Sequence, residues 1–270
     1  MRLVTFKFIL TAGAVLIASY GLLALLASKS LYYPIQYPAG DWDAGTRLGA
    51  QDVELRASDG TRLHAWWISR PGARIATLHL HGNGGNITHR SYAAQTILAA
   101  GSSILLVDYR GYGKSAGRPS EKGLYRDAAA GYEWLLSKGY TPAAIVIHGE
   151  SLGTAVAADL ASNRPCAGVI LEAPFSSARA VAARVLPWIG PALISGFDTK
   201  RNVKKLKAPL LVIHGTDDEV IPYELGKEVY EAAPDPKHLW TLQGATHNDL
   251  HYVGKAEFST RLADFYASLN

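Results

Sequence analysis

Ala144-Ile-Val-Ile-His-Gly-Glu-Ser-Leu-Gly-Thr-Ala-Val-Ala157 decides how this chain is read. A short apolar run is followed at once by Gly149-Glu150-Ser151-Leu152-Gly153, and then by small residues that favour a helix. A strand that turns sharply into a helix brings neighbouring backbone close on both sides of the turn. Glycine two positions before and two after the serine removes the Cβ atoms that would collide there. Ser151 is then exposed at the tip of the turn, and the helix begins right behind it. The positive end of the helix dipole faces any negative charge that develops at that point.

Outward from this turn the pattern repeats. Ala76–Leu80, Ser103–Val107, Gly168–Leu171 and Pro209–Ile213 are short apolar runs, typical of strands buried on both faces. Between the runs lie helical stretches, at Ile87–Ala100, Glu121–Ser137 and Leu152–Asn163. Alternation of this kind predicts crossover units and a parallel sheet. Asp52–Arg56 and Arg62–Ile68, joined by the turn signal Ser58-Asp59-Gly60, add an antiparallel edge. The expected fold class is therefore α/β: a mostly parallel sheet of about eight strands with helices on both faces.

Serine is a weak nucleophile at neutral pH and needs a general base, which in turn needs an acid to fix its tautomer. Both appear downstream. Pro209–Pro222 reads as a buried strand ending in a polar loop that holds adjacent Asp217 and Asp218. The run His238–Leu242 leads into Gly244-Ala-Thr-His247. Spacing alone does not separate Asp217 from Asp218. His251, four residues beyond His247, is the rival base. His79, His81, His148 and His214 fall at strand ends without metal-ligand spacing, and they read as histidines bracing loops. No metal and no cofactor is expected. Glu150 receives no catalytic role, and Arg110 reads as a structural residue holding its own loop.

Four motifs in this order resemble the α/β-hydrolase superfamily over residues 50–270. They are His81-Gly-Asn-Gly-Gly-Asn86, Asp108-Tyr-Arg-Gly-Tyr-Gly-Lys-Ser115, Gly149–Gly153 and His214-Gly-Thr-Asp-Asp-Glu-Val-Ile-Pro222. Within the superfamily the chain is similar to small anchored hydrolases with a minimal cap, among them bacterial α/β-hydrolase membrane proteins and eukaryotic depalmitoylating hydrolases. The resemblance implies a triad of Ser151, Asp218 and His247, with Asp218 chosen over Asp217 by the register of the acid motif. It also implies an oxyanion hole from the backbone N–H groups of Leu152 and Asn83, with Gly84 one residue along the same loop. The implied activity is hydrolysis of a carboxylic ester or thioester through an acyl-enzyme. A serine peptidase and a non-catalytic binding protein of the same fold are the alternatives.

The remaining expectations come from composition. The chain has 270 residues, 48% hydrophobic and 19% charged, which excludes a disordered chain. A net charge of +4 is too small to argue for nucleic acid. One cysteine, Cys166, excludes an intrachain disulfide framework. From Phe8 to Ser28 no residue is charged, and as a helix this run would be about 31 Å long, enough to span a bilayer. The expectation is a retained single-pass anchor at 1–30, a linker at 31–50 and the hydrolase domain at 51–270. A cleaved signal peptide is the rival, but its apolar core is shorter. Arg2 and Lys7 before the run place the main domain on the periplasmic or exterior side. A small cap is expected at 176–207, apolar around Leu186, Trp188, Ile189, Leu193 and Ile194. The expected partners are a small-molecule or lipid acyl ester as substrate, the membrane through the N-terminal helix, and no nucleic acid.

Overall fold

The computed structural model describes residues 18–21, 23 and 31–269. Eight strands form one sheet: β1 (Gln51–Arg56), β2 (Arg62–Ile68), β3 (Ala76–Leu80), β4 (Ser103–Val107), β5 (Ile145–Glu150), β6 (Gly168–Glu172), β7 (Leu210–Gly215) and β8 (Lys237–Leu242). Their spatial order is β1-β2-β4-β3-β5-β6-β7-β8. The pairs β1–β2 and β2–β4 are antiparallel. All other neighbours are parallel.

The helices are α1 (Asp43–Arg47), α2 (Ser91–Ala99), α3 (Glu121–Ser137), α4 (Leu152–Asn163), α5 (Ala178–Val185), α6 (Gly190–Leu193), α7 (Thr199–Val203), α8 (Tyr223–Ala232) and α9 (Leu250–Ala267). Their starts follow from the sequence. Ser120 and Ser177 accept hydrogen bonds from Gly123 N–H and Ala180 N–H, capping α3 and α5.

The continuous apolar strands divide between two cores because side chains alternate across a sheet. Leu105 and Val107 of β4, with Ile145 and Ile147 of β5, face the core built with α3, α4, α7 and α8. Ile104, Leu106 and Val146 face the opposite core, built with α1, α2 and α9. Each fully buried Leu, Ile or Val is worth about 1.5–3 kcal/mol relative to exposure. Both faces are thus paid for by one set of period-two strands. At the C-terminal edge of the sheet, chain from β3 passes to β4 on one side and chain from β5 passes to β6 on the other. Ligand crevices of open α/β sheets form at such a reversal.

The expected single-pass membrane location is corrected here. Among the described residues no helix is long and apolar enough to cross a membrane. The longest unbroken one, α3, carries Glu121, Lys122, Arg126, Asp127 and Glu133 along its length, and α9 is kinked at Lys255. The Phe8–Ser28 run lies outside the described residues, apart from 18–21 and 23.

Candidate active site

Ser151 sits between the last residue of β5 and the first of α4, with φ 51° and ψ −114°. This backbone region is unfavourable for a residue with a side chain, at a cost on the order of 1–3 kcal/mol. Two hydrogen bonds hold it: Ser151 N–H donates to Glu172 O at 2.9 Å, and Thr154 N–H donates to Ser151 O at 2.9 Å. The flanking glycines are a steric requirement. A Cβ on Gly149 would lie 2.6 Å from the Gly153 carbonyl carbon, and one on Gly153 would lie 2.7 Å from the Leu80 carbonyl carbon.

His247 lies on the loop between β8 and α9, and its Nε2 is 3.0 Å from Ser151 Oγ. Its Nδ1 is 2.8 Å from Asp218 Oδ2. A carboxylate can only accept, so Nδ1 carries the proton and Nε2 presents a lone pair to the serine hydroxyl. Asp218, in the loop after β7, is buried. Its Oδ1 accepts Val220 N–H at 2.9 Å and Ile221 N–H at 2.7 Å. His214 Nε2 is 3.3 Å from Asp218 Oδ2 and 2.9 Å from Ile221 O, so it donates toward both. Burial raises the pKa of Asp218, but hydrogen bonds from His214 and His247 outweigh it and hold the carboxyl well below the usual range. Asp217 points to solvent and accepts only from Thr216 Oγ1 at 2.8 Å. The structure therefore brings Ser151, Asp218 and His247 together and leaves Asp217 outside.

The loop after β3 approaches from the other side. A Cβ on Gly82 would be 3.4 Å from Ser151 Cβ. Asn83 and Leu152 both line the cavity that opens at Ser151. Tyr112 donates its hydroxyl to Asn83 O at 2.9 Å, fixing the Asn83–Gly84 peptide, while the peptide that carries the Asn83 N–H is held through Gly82 O.

The other histidines have separate tasks. His81 Nδ1 donates to Gly82 O at 2.7 Å. His148 Nε2 and His251 Nε2 meet the two oxygens of buried Glu172, at 2.6 and 3.0 Å. His79 packs edge-on against His148, with ring centroids 5.1 Å apart. His251, the rival base, is thus engaged with Glu172 and not with Ser151. Among the described residues no group of three His, Cys, Asp or Glu is placed to hold a metal ion. Arg110 makes a bidentate bond to Asp127, with its Nη2 2.7 Å from Oδ1, and reaches Asp59 at 2.8 Å, which fixes the loop after β4.

The cavity at Ser151 has a volume of about 440 Å³. Leu186, Leu193 and Ile194 of the cap line it, as do Phe175 and Phe197. Trp188 and Ile189 do not: Trp188 is 94% exposed and Ile189 58%. The chain kinks between α5 and α6, and that turn directs these two residues outward. Sequence reasoning also missed Leu31 and Tyr33, which line the cavity from the segment before the sheet. Only their apolar character hinted at this. Arg90 and Glu150 pair at 2.8 Å beside Gly82, behind the turn.

A serine on a strand-to-helix turn, at the carboxyl edge of an eight-stranded sheet in this order, defines an α/β-hydrolase. The family profile described as "Serine aminopeptidase, S33" matches residues 72–196 and 188–251. The chain belongs to this family. It is 37% identical over 226 residues to an uncharacterized Mycobacterium tuberculosis protein, covering 82% of this chain and 80% of that one. It is 35% identical over 231 residues to alpha/beta hydrolase domain-containing protein 17C of Xenopus tropicalis, covering 83% and 73%. An esterase from Pyrococcus furiosus superposes with a TM-score of 0.74 at 24% identity, over 88% of this chain and 98% of that one, which speaks to the fold.

Proposed function

We propose that this chain is a serine hydrolase that cleaves apolar carboxylic esters or thioesters through an acyl-enzyme on Ser151. In this reading Ser151 Oγ attacks the substrate carbonyl while His247 Nε2 takes its proton. The imidazolium that forms is stabilised by Asp218. The backbone N–H groups of Leu152 and Asn83 hold the oxyanion. His247 then gives the proton to the leaving alcohol or thiol. A water molecule, deprotonated by the same nitrogen, releases the acid and restores the serine.

One observation carries the choice of substrate: no Asp, Glu, Lys, Arg or His is among the described residues lining the cavity at Ser151. An aminopeptidase must hold a free ammonium next to the scissile bond, and a buried ammonium without a carboxylate partner is heavily penalised. An acyl chain makes no such demand and gains up to about 0.8 kcal/mol for each methylene it buries.

The test is a chain-length profile on purified protein. The expected kcat/KM rises from acetyl toward butyryl and octanoyl esters, and aminoacyl amides are poor substrates. Leu193→Asp, inside the cavity, lowers the octanoyl-to-acetyl ratio by about tenfold or more. Trp188→Asp, on the outer face, leaves the ratio as it is. A flat profile together with good cleavage of aminoacyl amides would replace this reading by the peptidase.

A further inference from the structure

The segment before the sheet is stitched to the loop that carries Asn83. Tyr33 and Pro34 pair in parallel with Gly84 and Gly85. Ile35 N–H donates to Gly85 O at 3.0 Å, while Ile35 O accepts Gly113 N–H at 3.0 Å and Asn86 Nδ2–H at 3.0 Å. Tyr37 N–H donates to Gly113 O at 2.9 Å. These bonds tie residues 33–37 both to the loop after β3 and to the loop after β4. Tyr33 N–H is not part of that ladder. It donates to Asn83 Oδ1 at 3.1 Å. Asn83 is therefore held twice, by this bond on its side chain and by Tyr112 on its carbonyl. On the cavity side, Leu31 is half-buried and lines the space together with the cap residues, and the exposed Tyr33 lines it as well. Tyr32 meets Phe197, another lining residue, edge-on at 6.3 Å.

We infer that residues 31–33 belong to the active site in two ways. Leu31 is a specificity residue that closes one wall of the acyl pocket. The Tyr33 N–H is a positioning group that holds the Asn83 side chain, and through it the Asn83 N–H where it meets the oxyanion. The inference deepens the ester reading and rests on it. A positioning group affects the rate without touching the reacting atoms: a donor displaced by about 1 Å costs on the order of 10²-fold in rate.

The experiment uses the full chain. Leu31→Asp and Leu31→Ala are assayed on acetyl and octanoyl p-nitrophenyl esters. The expected result is a fall in the octanoyl-to-acetyl ratio of kcat/KM, about tenfold for Leu31→Asp and less for Leu31→Ala. Tyr33→Pro is compared with Tyr33→Ala, since both lose the ring and only proline loses the N–H. The proline variant is expected to have a kcat about ten- to a hundredfold below the alanine variant on both esters, with similar KM. Its affinity for an alkylboronic acid, which mimics the tetrahedral adduct, should fall in parallel. Ratios for both Leu31 variants within twofold of the unsubstituted protein would overturn the wall. Equal kcat and equal boronate affinity for the two Tyr33 variants would overturn the positioning role. Fluorophosphonate labelling of the same samples separates these failures from that of the ester reading: unsubstituted protein that labels and hydrolyses esters leaves only the role of residues 31–33 in question.

Discussion

Asp218→Asn changes one atom in a carboxylate that four donors address. Oδ1 can still accept Val220 N–H and Ile221 N–H, at 2.9 and 2.7 Å, so the loop after β7 keeps its shape. The new amide nitrogen takes the place of Oδ2, 2.8 Å from His247 Nδ1 and 3.3 Å from His214 Nε2. An amide N–H cannot accept from an imidazole N–H, so His247 turns to the other tautomer, with its proton on Nε2. That nitrogen then donates to Ser151 Oγ and cannot take the serine proton. The imidazolium also loses its counter-charge. A change of this kind lowers kcat by about 10⁴-fold in the serine triads where it is best studied, or about 5.5 kcal/mol of transition-state stabilisation. Asp217→Asn is the control. It touches only an exposed hydroxyl bond, and the expected change is less than about threefold. The assay is hydrolysis of p-nitrophenyl butyrate under saturation, with active sites counted and folding checked by circular dichroism. A folded Asp218→Asn protein within tenfold of the unsubstituted rate would refute the reasoning, and so would a large loss in Asp217→Asn alone.

Gly153→Ala should remove activity and destabilise the fold by several kcal/mol, because its Cβ would run into the rigid backbone of Leu80 and His81; a variant that melts with the unsubstituted protein and keeps its rate would contradict the packing described. The His251–Glu172 pair makes stability depend on pH. Burial pulls the pKa of His251 down, but Glu172 outweighs it and raises the imidazole. Burial pushes Glu172 up, but His251 and His148 outweigh it and hold the carboxyl well below its ordinary range. The His251 contribution is complete below its unfolded value near 6.5 and is lost as pH rises through the folded one. The Glu172 contribution is present above about 4.3 and is lost as pH falls. His251→Gln should therefore lower Tm most at about pH 5–6 and least near pH 9. A Tm difference that grows toward alkaline pH would show that the pair is not held as an ion pair.

What the chain discloses before folding depends on how local the cause is. The turn at Ser151 is legible because its glycines are demanded by atoms within four residues and by the strand end that always lies beneath such a turn. Strands β2, β3 and β4 begin and end where they were expected, because burial on both faces leaves no exposed position inside them, even at polar His64, Thr77 and His79. Asp218 is legible through a motif register, although nothing in the composition of two adjacent aspartates separates them. Leu31 and Tyr33 are different. Their partners stand fifty residues away in a glycine-rich loop, and an irregular segment has no periodicity to announce a face. Trp188, outside the cavity, and Leu193, inside it, are not told apart by the sequence for a related reason. Apolar composition in a chain broken by Pro187, Gly190 and Pro191 says nothing about which side chains turn inward. Glu172 and His251 meet only because the sheet brings the end of β6 beside the start of α9.

In the proposed reaction Ser151 carries the acyl group, and intact-mass spectrometry with peptide mapping after treatment with a fluorophosphonate reads that step out at the residue itself. The expected result is one adduct per chain, on the peptide that contains Ser151, with complete loss of ester hydrolysis and no adduct in Ser151→Ala. An adduct at another residue, or a Ser151→Ala protein that still hydrolyses esters at the unsubstituted rate, would contradict it.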